Sequence, residues 1–264
     1  MGIVQGATEF LPVSSSGHLV LVPWLLQWED PGLAFDSTLH LGTLLAVVAF
    51  FWKELSDLAV GLVASMRDRS LSGDPVRKTA WLVLVATVPA ALLGFLLEDF
   101  FESLFARPTL VGLLLLCTGA FLALSERWSR RVLEMSDMSW LDAVFVGLGQ
   151  ALAIAPGISR SGATISVGLW RGLRREAAAR FSFLLSVPII LGAGLFKAKE
   201  LLEMPSVAQS PATLLAGFLA AATSGFVSIR FLLSYLRKRR LYPFAVYCWI
   251  AGSLSVLLSL LSIR

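Results

Sequence analysis

The stretch Gln5–His18, Q-G-A-T-E-F-L-P-V-S-S-S-G-H, places a carboxylate, an imidazole, three serines and two glycines within a very apolar chain. A second polar stretch, Pro156–Thr164, reads P-G-I-S-R-S-G-A-T. Shifted by 145 positions, the two halves align: Gly2 falls on Gly147, Gln5 on Gln150, Ser14 on Ser159, Ser16 on Ser161 and Gly17 on Gly162, while Ser15 falls on Arg160. Each half thus carries one Ser/Gly-rich polar loop, and one of the loops brings a cation. The pattern predicts that the loops meet and form one anion site inside a membrane.

Composition sets the surroundings of these loops. Of 264 residues, 56% are hydrophobic and only 15% charged, whereas soluble domains average about 25% charged. Several runs reach the roughly 20 apolar residues that cross a bilayer as a helix. The alternating segments of about 10 residues that mark a membrane β-barrel are absent from the sequence. The class is an all-α polytopic membrane protein. A net charge of +4 does not signal nucleic acid here, because basic residues in such chains mark cytoplasmic loops. Cys117 and Cys248 lie in apolar runs and suggest neither a disulfide framework nor a zinc site. No cleavable signal peptide is expected, since a basic n-region and a clean h-region are missing before Gln5. The four residues before the polar stretch make an unusually short leading helix, which leaves open whether Met1 is the native start.

Residues 1–28 read as a helix–loop–helix too short to cross twice, broken at Pro12 and interrupted at Pro23. Such a re-entrant hairpin is tolerated at membrane depth where it is buried in protein or lines a cavity. Full spans are expected at about Phe35–Trp52, Thr79–Leu97 and Thr109–Ser125. Residues 140–172 repeat the hairpin around Pro156-Gly157, and spans follow at about Ala177–Phe196, Pro211–Leu236 and Pro243–Ile263. The expected architecture is therefore a single membrane domain, 1–264, with six transmembrane helices and two re-entrant hairpins. It divides into repeat one (1–133) and repeat two (134–264). Three spans per half force the halves into opposite orientations, an inverted-topology repeat whose site lies near the midplane.

Charge agrees with this count. Lys53, Arg67, Arg69, Arg77, Lys78, Arg127, Arg130, Arg131, Arg171, Arg174, Arg175, Arg180, Arg230 and Arg237–Arg240 fall on one face. Arg107, Lys197, Lys199 and Arg264 fall on the other, together with Glu29, Asp30, Glu98, Asp99, Glu102, Glu200 and Glu203, while Arg160 lies inside. The positive-inside bias then puts both termini outside the cytoplasm, with the first hairpin dipping in from outside and the second from the cytoplasm. Trp24, Trp28, Trp52, Trp81, Trp128 and Trp140 sit near expected span or hairpin ends, as an aromatic belt requires.

Glu9 is the sharpest single residue, because an ionisable group in a membrane segment marks function by default. Gln5 lies one turn earlier on the same helix face, and the pair suits a hard cation such as Mg²⁺ or Ca²⁺. Ser14, Ser15, Ser16 and Gly17 precede a short helix whose open N–H groups, with the hydroxyls, make a phosphate cradle. Plain N-capping is the ordinary role of such serines, and two matching loops weigh toward the anion site. Arg160 supplies a planar fork for phosphate oxygens, or pairs structurally with Glu9. Ser159, Ser161, Gly162 and Thr164 complete the second cradle. His18 has the pKa range of a general acid or base, and Ser15 is a candidate nucleophile. His40 reads as a packed or hydrogen-bonded histidine outside the site.

These residues resemble the undecaprenyl-diphosphate phosphatases of the bacitracin-resistance type. That family's signatures, (E/Q)-x-x-x-E and P-G-x-S-R-S-x-x-T, are both met, at Gln5–Glu9 and Pro156–Thr164. The resemblance extends to G-T-L-L-A-V (Gly42–Val47), F-S-F-L-L-S-V-P (Phe181–Pro188) and Y-P-F-A-V-Y (Tyr242–Tyr247), and so spans nearly the whole chain. It implies an integral plasma-membrane hydrolase that removes the terminal phosphate of a C55 prenyl diphosphate. Such an enzyme recycles the lipid carrier for peptidoglycan, cell-wall biogenesis and cell shape, and confers bacitracin resistance. It also implies dependence on Mg²⁺ or Ca²⁺, a homodimer, and bilayer lipid and polyprenyl diphosphate as partners, with no nucleic acid. The implied functional positions are Glu9, Ser15, His18, Arg160 and Thr164, with Glu9 and Gln5 at the metal. Many relatives have Glu at the position of Gln5, and typical members carry roughly ten more leading residues. Two routes stay open: attack by Ser15 with His18 handling protons, or water activated by His18 and Glu9. So does a second class, a prenyl-phosphate flippase using the same midplane site, since inverted repeats are a common transporter design. A symporter has no matching motif. The topology places the opening of the site toward the outside.

Overall fold

The computed structural model describes residues 1–29, 32–71, 73–203 and 210–261, and within them the regular elements are helices, with one isolated bridge between Leu133 and Leu173. Helices α1 (Gly2–Phe10) and α2 (Ser15–Leu26) form a first short hairpin. They are followed by α3 (Leu33–Phe50), α4 (Trp52–Asp68), α5 (Pro75–Leu96), α6 (Glu98–Phe105) and α7 (Pro108–Trp128). A second hairpin, α8 (Trp140–Leu152) and α9 (Arg160–Trp170), leads into α10 (Arg175–Glu203), α11 (Pro211–Leu236) and α12 (Tyr242–Leu260). Among the described residues, six helices are long and apolar enough to cross a membrane: α3, α5, α7, α10, α11 and α12, with apolar lengths of 18 to 26 residues. At 1.5 Å per residue these reach about 27–39 Å, and the four hairpin helices only about 13–20 Å. The six-span multi-pass expectation holds.

Local chemistry explains most boundaries. Prolines in the first turn start α5, α7, α11 and α12, where the missing N–H leaves no bond unmade. Ser139 and Asp142 form a capping box that starts α8. Pro23 does not interrupt the first hairpin, because α2 runs through it and ends at Gln27 in the left-handed conformation. Two elements went beyond the sequence reading. Helix α4, which connects two spans, is amphipathic with Val60, Val63 and Met66 exposed, and the short α6 caps the α5–α7 connection.

The packing is drawn twice. Helix α1 lies against α11 as α8 lies against α5, and α3 lies against α11 as α10 lies against α5, while α7 packs on α12 and α3 on α10. Each hairpin is therefore held by a span from the other half of the chain. Glycine permits the closest of these approaches: a Cβ on Gly2 would stand 2.5 Å from the Gly217 carbonyl oxygen, and one on Gly147 would stand 2.5 Å from that of Ala86. Membrane helices associate through such small-residue contacts because lipid provides no hydrophobic drive between them.

The arginine-rich face is cross-braced. The buried Glu126 takes both ends of Arg175 at 2.6 Å and the Leu241 N–H at 3.0 Å, and also pairs with Arg131. Asp142 pairs with Arg171 at 2.5 Å, closing the base of the second hairpin. Arg180 reaches Glu54 at 2.6 Å, joining α10 to α4. A cleft of about 360 Å³ on this face, between Met66, Trp81 and Trp140, contains none of the signature residues.

Gly147→Val should lower the melting temperature of the protein in detergent by several degrees, because α8 must retreat from α5. Gly194→Ala, whose new Cβ meets only Leu41 at 3.7 Å, should melt like the parent. Equal melting temperatures for the two variants would show that the α8–α5 contact is not tight.

Candidate functional site

The tips of the two hairpins meet. Both start their second helix in the same way: Ser14 accepts from the Gly17 N–H at 3.2 Å, and Ser159 from the Gly162 N–H at 3.0 Å. The hydroxyls Ser14 and Ser16 lie 3.3 Å apart, and Ser159 and Ser161 lie 3.2 Å apart. Ser14 and Ser159 are therefore N-caps, as serine ordinarily is, and the remaining first-turn N–H groups of both helices are left to other partners. Ser14 has φ +69° despite its side chain, a conformation that a non-glycine residue adopts at a cost of order 1 kcal/mol or more.

Each tip is also gripped from outside its own hairpin. The Pro12 carbonyl accepts from the Cys248 thiol of α12 at 3.7 Å. The Gly157 carbonyl accepts from the Thr118 hydroxyl of α7 at 2.9 Å, and Thr118 in turn accepts from the Ser159 N–H at 3.0 Å. Pro12 and Gly157 are equivalent under the 145-residue shift. Gly157 itself has φ +100°, and a Cβ there would come 2.9 Å from that of Leu114, so no other residue fits without displacing α7. Ser161 ties the tips together by donating to the Leu11 carbonyl at 3.2 Å.

Glu9 stands between them, only 6% exposed. One carboxylate oxygen accepts from Arg160 Nη2 at 3.2 Å. The other accepts from the Ser15 hydroxyl at 2.6 Å and from Gln5 Nε2 at 3.1 Å. Arg160 also donates through Nη1 to the Ser182 carbonyl of α10 at 3.1 Å. Its buried Nε has no hydrogen-bond partner among the described residues. The Thr164 hydroxyl is engaged within the protein: it donates to the Arg160 carbonyl at 2.7 Å and lies 2.7 Å from the Ser182 hydroxyl, pinning α9 to α10. Next in sequence to Glu9 and Ser182, the fully buried Phe10 and Phe183 meet edge to face at 5.4 Å.

The candidate residues separate into two groups. Gln5, Glu9, Ser15 and Arg160 form one bonded set. His18 is not joined to Ser15 by any hydrogen bond among the described residues. Its Nδ1 lies 2.7 Å from the Ser14 carbonyl oxygen, and its Nε2 lies 2.6 Å from the Tyr247 hydroxyl. A spacing of three suggested Ser15 and His18 as partners, yet Glu9 holds the serine. Ser182 and Tyr247 were not singled out in the sequence as site residues, although both lie inside the quoted family runs. His40 was set aside, and its ring nitrogen does bond the Asp36 carbonyl at 2.8 Å.

For a cation, the protein offers the Glu9 carboxylate and the buried Oε1 of Gln5, which has no partner among the described residues. Among the described residues no group of three or more His, Cys, Asp or Glu could hold a metal. This donor set fits a hard cation that arrives with its own oxygens, as Mg²⁺ does on phosphates, and does not fit an all-protein cage.

The chain matches the family model described as bacitracin resistance protein BacA over residues 1–254. It belongs to the BacA family. It is 47% identical to the undecaprenyl-diphosphatase of Rubrobacter xylanophilus over 99% of this chain and 97% of that one. It is 46% identical to those of Methanosphaera stadtmanae (98% and 96% covered) and Pelobacter propionicus (96% and 92% covered). This BacA chain is thus an integral membrane enzyme by kinship, and three members of the bonded set, Gln5, Glu9 and Arg160, fall in the two signatures quoted above.

Arg160→Ala strands a buried carboxylate, and removing one member of a buried pair costs about 3–5 kcal/mol. The variant should melt well below the parent in detergent, while the Glu9→Gln/Arg160→Gln double variant should recover much of the loss. A double variant no more stable than Arg160→Ala would show that the pair is not what stabilises the hairpin junction.

Proposed function

We propose that the protein hydrolyses undecaprenyl diphosphate to undecaprenyl phosphate and inorganic phosphate, and so returns the lipid carrier to envelope synthesis. The observation that carries this reading is a hydroxyl, Ser15 Oγ, 2.6 Å from a carboxylate oxygen of Glu9, beside an arginine with an unused buried donor. That constellation holds a nucleophile, a proton acceptor and an anion clamp in one place. The relatives' names agree with it and do not favour a flippase.

Arg160 Nε and the open N–H groups of α2 and α9, with Ser16 and Ser161 beside them, bind the diphosphate oxygens. Phosphoryl transfer needs positioning and charge neutralisation more than covalent assistance. Ser15 Oγ attacks the terminal phosphorus, its proton passes to Glu9, and the bond to the bridging oxygen breaks to release the prenyl monophosphate. Water then cleaves the phosphoserine and regenerates Ser15. Gln5 and Glu9 would hold a Mg²⁺ or Ca²⁺ ion, which would supply charge neutralisation for the diphosphate. Gln5, where many relatives have Glu, makes that hold weaker than two carboxylates would. The direct-water route is less favoured, because His18 faces Tyr247 and not the Glu9–Ser15 pair.

The two halves are read as inverted repeats, 1–133 and 134–264, with both hairpins re-entrant. The termini and the mouth of the site face outward, supported by the concentration of arginines and ion pairs on the opposite face. A homodimer follows from the family resemblance, and native mass spectrometry would test it.

Purified protein in detergent should release inorganic phosphate from a long-chain prenyl diphosphate and lose that activity in EDTA. Arg160→Ala and Ser15→Ala, verified as folded, should each fall by about 10²–10³-fold, the scale of losing one preorganised group. Gln5→Glu should lower the cation concentration for half-maximal rate. Release that survives Ser15→Ala would overturn serine attack, and survival in Arg160→Ala would break the joint site. No release from folded wild type would transfer the assignment to a carrier.

A further inference from the structure

The His18 imidazole is held at both nitrogens. Nδ1 faces a backbone carbonyl, that of Ser14, at 2.7 Å. A carbonyl has no proton to give, so Nδ1 carries the hydrogen. The neutral ring therefore has its lone pair on Nε2, and the Tyr247 hydroxyl at 2.6 Å is the donor to it. The tautomer is assigned from these partners. The two rings are stacked, with centroids 5.7 Å apart and planes 10° from parallel.

Tyr247 is not placed as an interfacial anchor. Tyr242, at the start of α12, occupies the position where an aromatic belt puts a tyrosine, and Tyr247 lies five residues further along, about 7.5 Å deeper. It is 45% exposed on the apolar exterior, yet its hydroxyl reaches a histidine that is 8% exposed. The next residue, Cys248, is the one that grips Pro12 at the hairpin tip. Two successive residues of α12 thus hold the first hairpin, one at its turn and one at its imidazole. Packing alone explains the Cys248 contact and a phenyl ring at 247, and leaves the hydroxyl unexplained.

We propose that Tyr247 is a positioning residue for the phosphatase reaction, acting through His18. Its hydroxyl fixes the imidazole as the Nδ1–H form and gives Nε2 a partner in both protonation states. It donates to the neutral nitrogen and accepts from the protonated one, since a phenol does either. Held at both nitrogens, His18 fixes the Ser14 carbonyl, and with it the turn that presents the Ser15 hydroxyl to Glu9. This inference rests on the phosphatase reading above. Glu9 on α1, Arg160 on α9 and Cys248 on α12 are hydrogen-bonded at the junction, and none of them bonds His18 among the described residues.

Tyr247→Phe retains the ring and its stacking and removes only the hydroxyl. It should lower kcat for phosphate release about tenfold and leave KM within about twofold. In a cycle with His18→Ala, the double variant should be no slower than His18→Ala alone, because residues that act as one unit do not add. A purely structural tyrosine would give additive losses. A second readout needs no turnover: the chain has two histidines, His18 and His40. Diethyl pyrocarbonate should modify His18 several-fold faster in Tyr247→Phe and His40 at the parent rate, as read by mass spectrometry. Full kcat in Tyr247→Phe, additive losses, or an unchanged modification rate at His18 would overturn the proposal. Wild type that releases no phosphate would defeat the phosphatase reading instead, and the modification rates would still decide whether Tyr247 holds His18.

Discussion

A single buried carboxylate sets the terms for this structure. Glu9 sits in a nine-residue helix of an apolar chain, where an unanswered negative charge is expensive. It is answered from three directions: by Gln5 from its own helix, by Ser15 across its own hairpin, and by Arg160 from the other half of the chain. The third answer is the one that shapes the fold. Arg160 reaches Glu9 only if the second hairpin comes tip to tip with the first, and that approach in turn requires spans able to hold both hairpins from outside. The glycine contacts of α1 on α11 and α8 on α5 make it possible.

Charge and chemistry are therefore the same arrangement seen twice. The groups that neutralise Glu9 are those proposed to bind and attack a phosphate: a guanidinium, a hydroxyl on a carboxylate, and an amide. A site of this kind is preorganised before any ligand arrives, and preorganised dipoles in a medium of low polarity contribute most of the stabilisation of charge during phosphoryl transfer. The ion pairs of Glu126, Asp142 and Glu54 on the opposite face hold the bases of these elements, so that the tips are positioned from both ends.

Much of this was legible in the residues themselves. The six spans followed from runs of apolar residues, and the twofold Ser/Gly pattern indicated that the two loops would meet, which they do with matching N-caps. What the linear order concealed were contacts set by tertiary geometry. Ser15 and His18 are three apart on one helix, yet their side chains serve Glu9 and Tyr247 respectively. Ser182 and Tyr247 lie in apolar runs with nothing local to distinguish them from packing residues. Helix α4 was hidden for a different reason: its mixture of Val60, Val63 and Met66 with charged residues reads as a loop unless the 3.6-residue period is sought.

The exchange of partners between halves also governs how the protein is made. Ribosomes deliver the chain from its N-terminus, so Glu9 and the first hairpin enter the membrane long before α9, α11 and α12, which hold them, exist. A long sequence separation between partners makes assembly slow. Through most of synthesis the first hairpin is an orphan, its carboxylate without its arginine and its glycine face without α11. A hairpin laid down early is thus completed late, and the finished junction doubles as a certificate that the later half of the chain has been inserted.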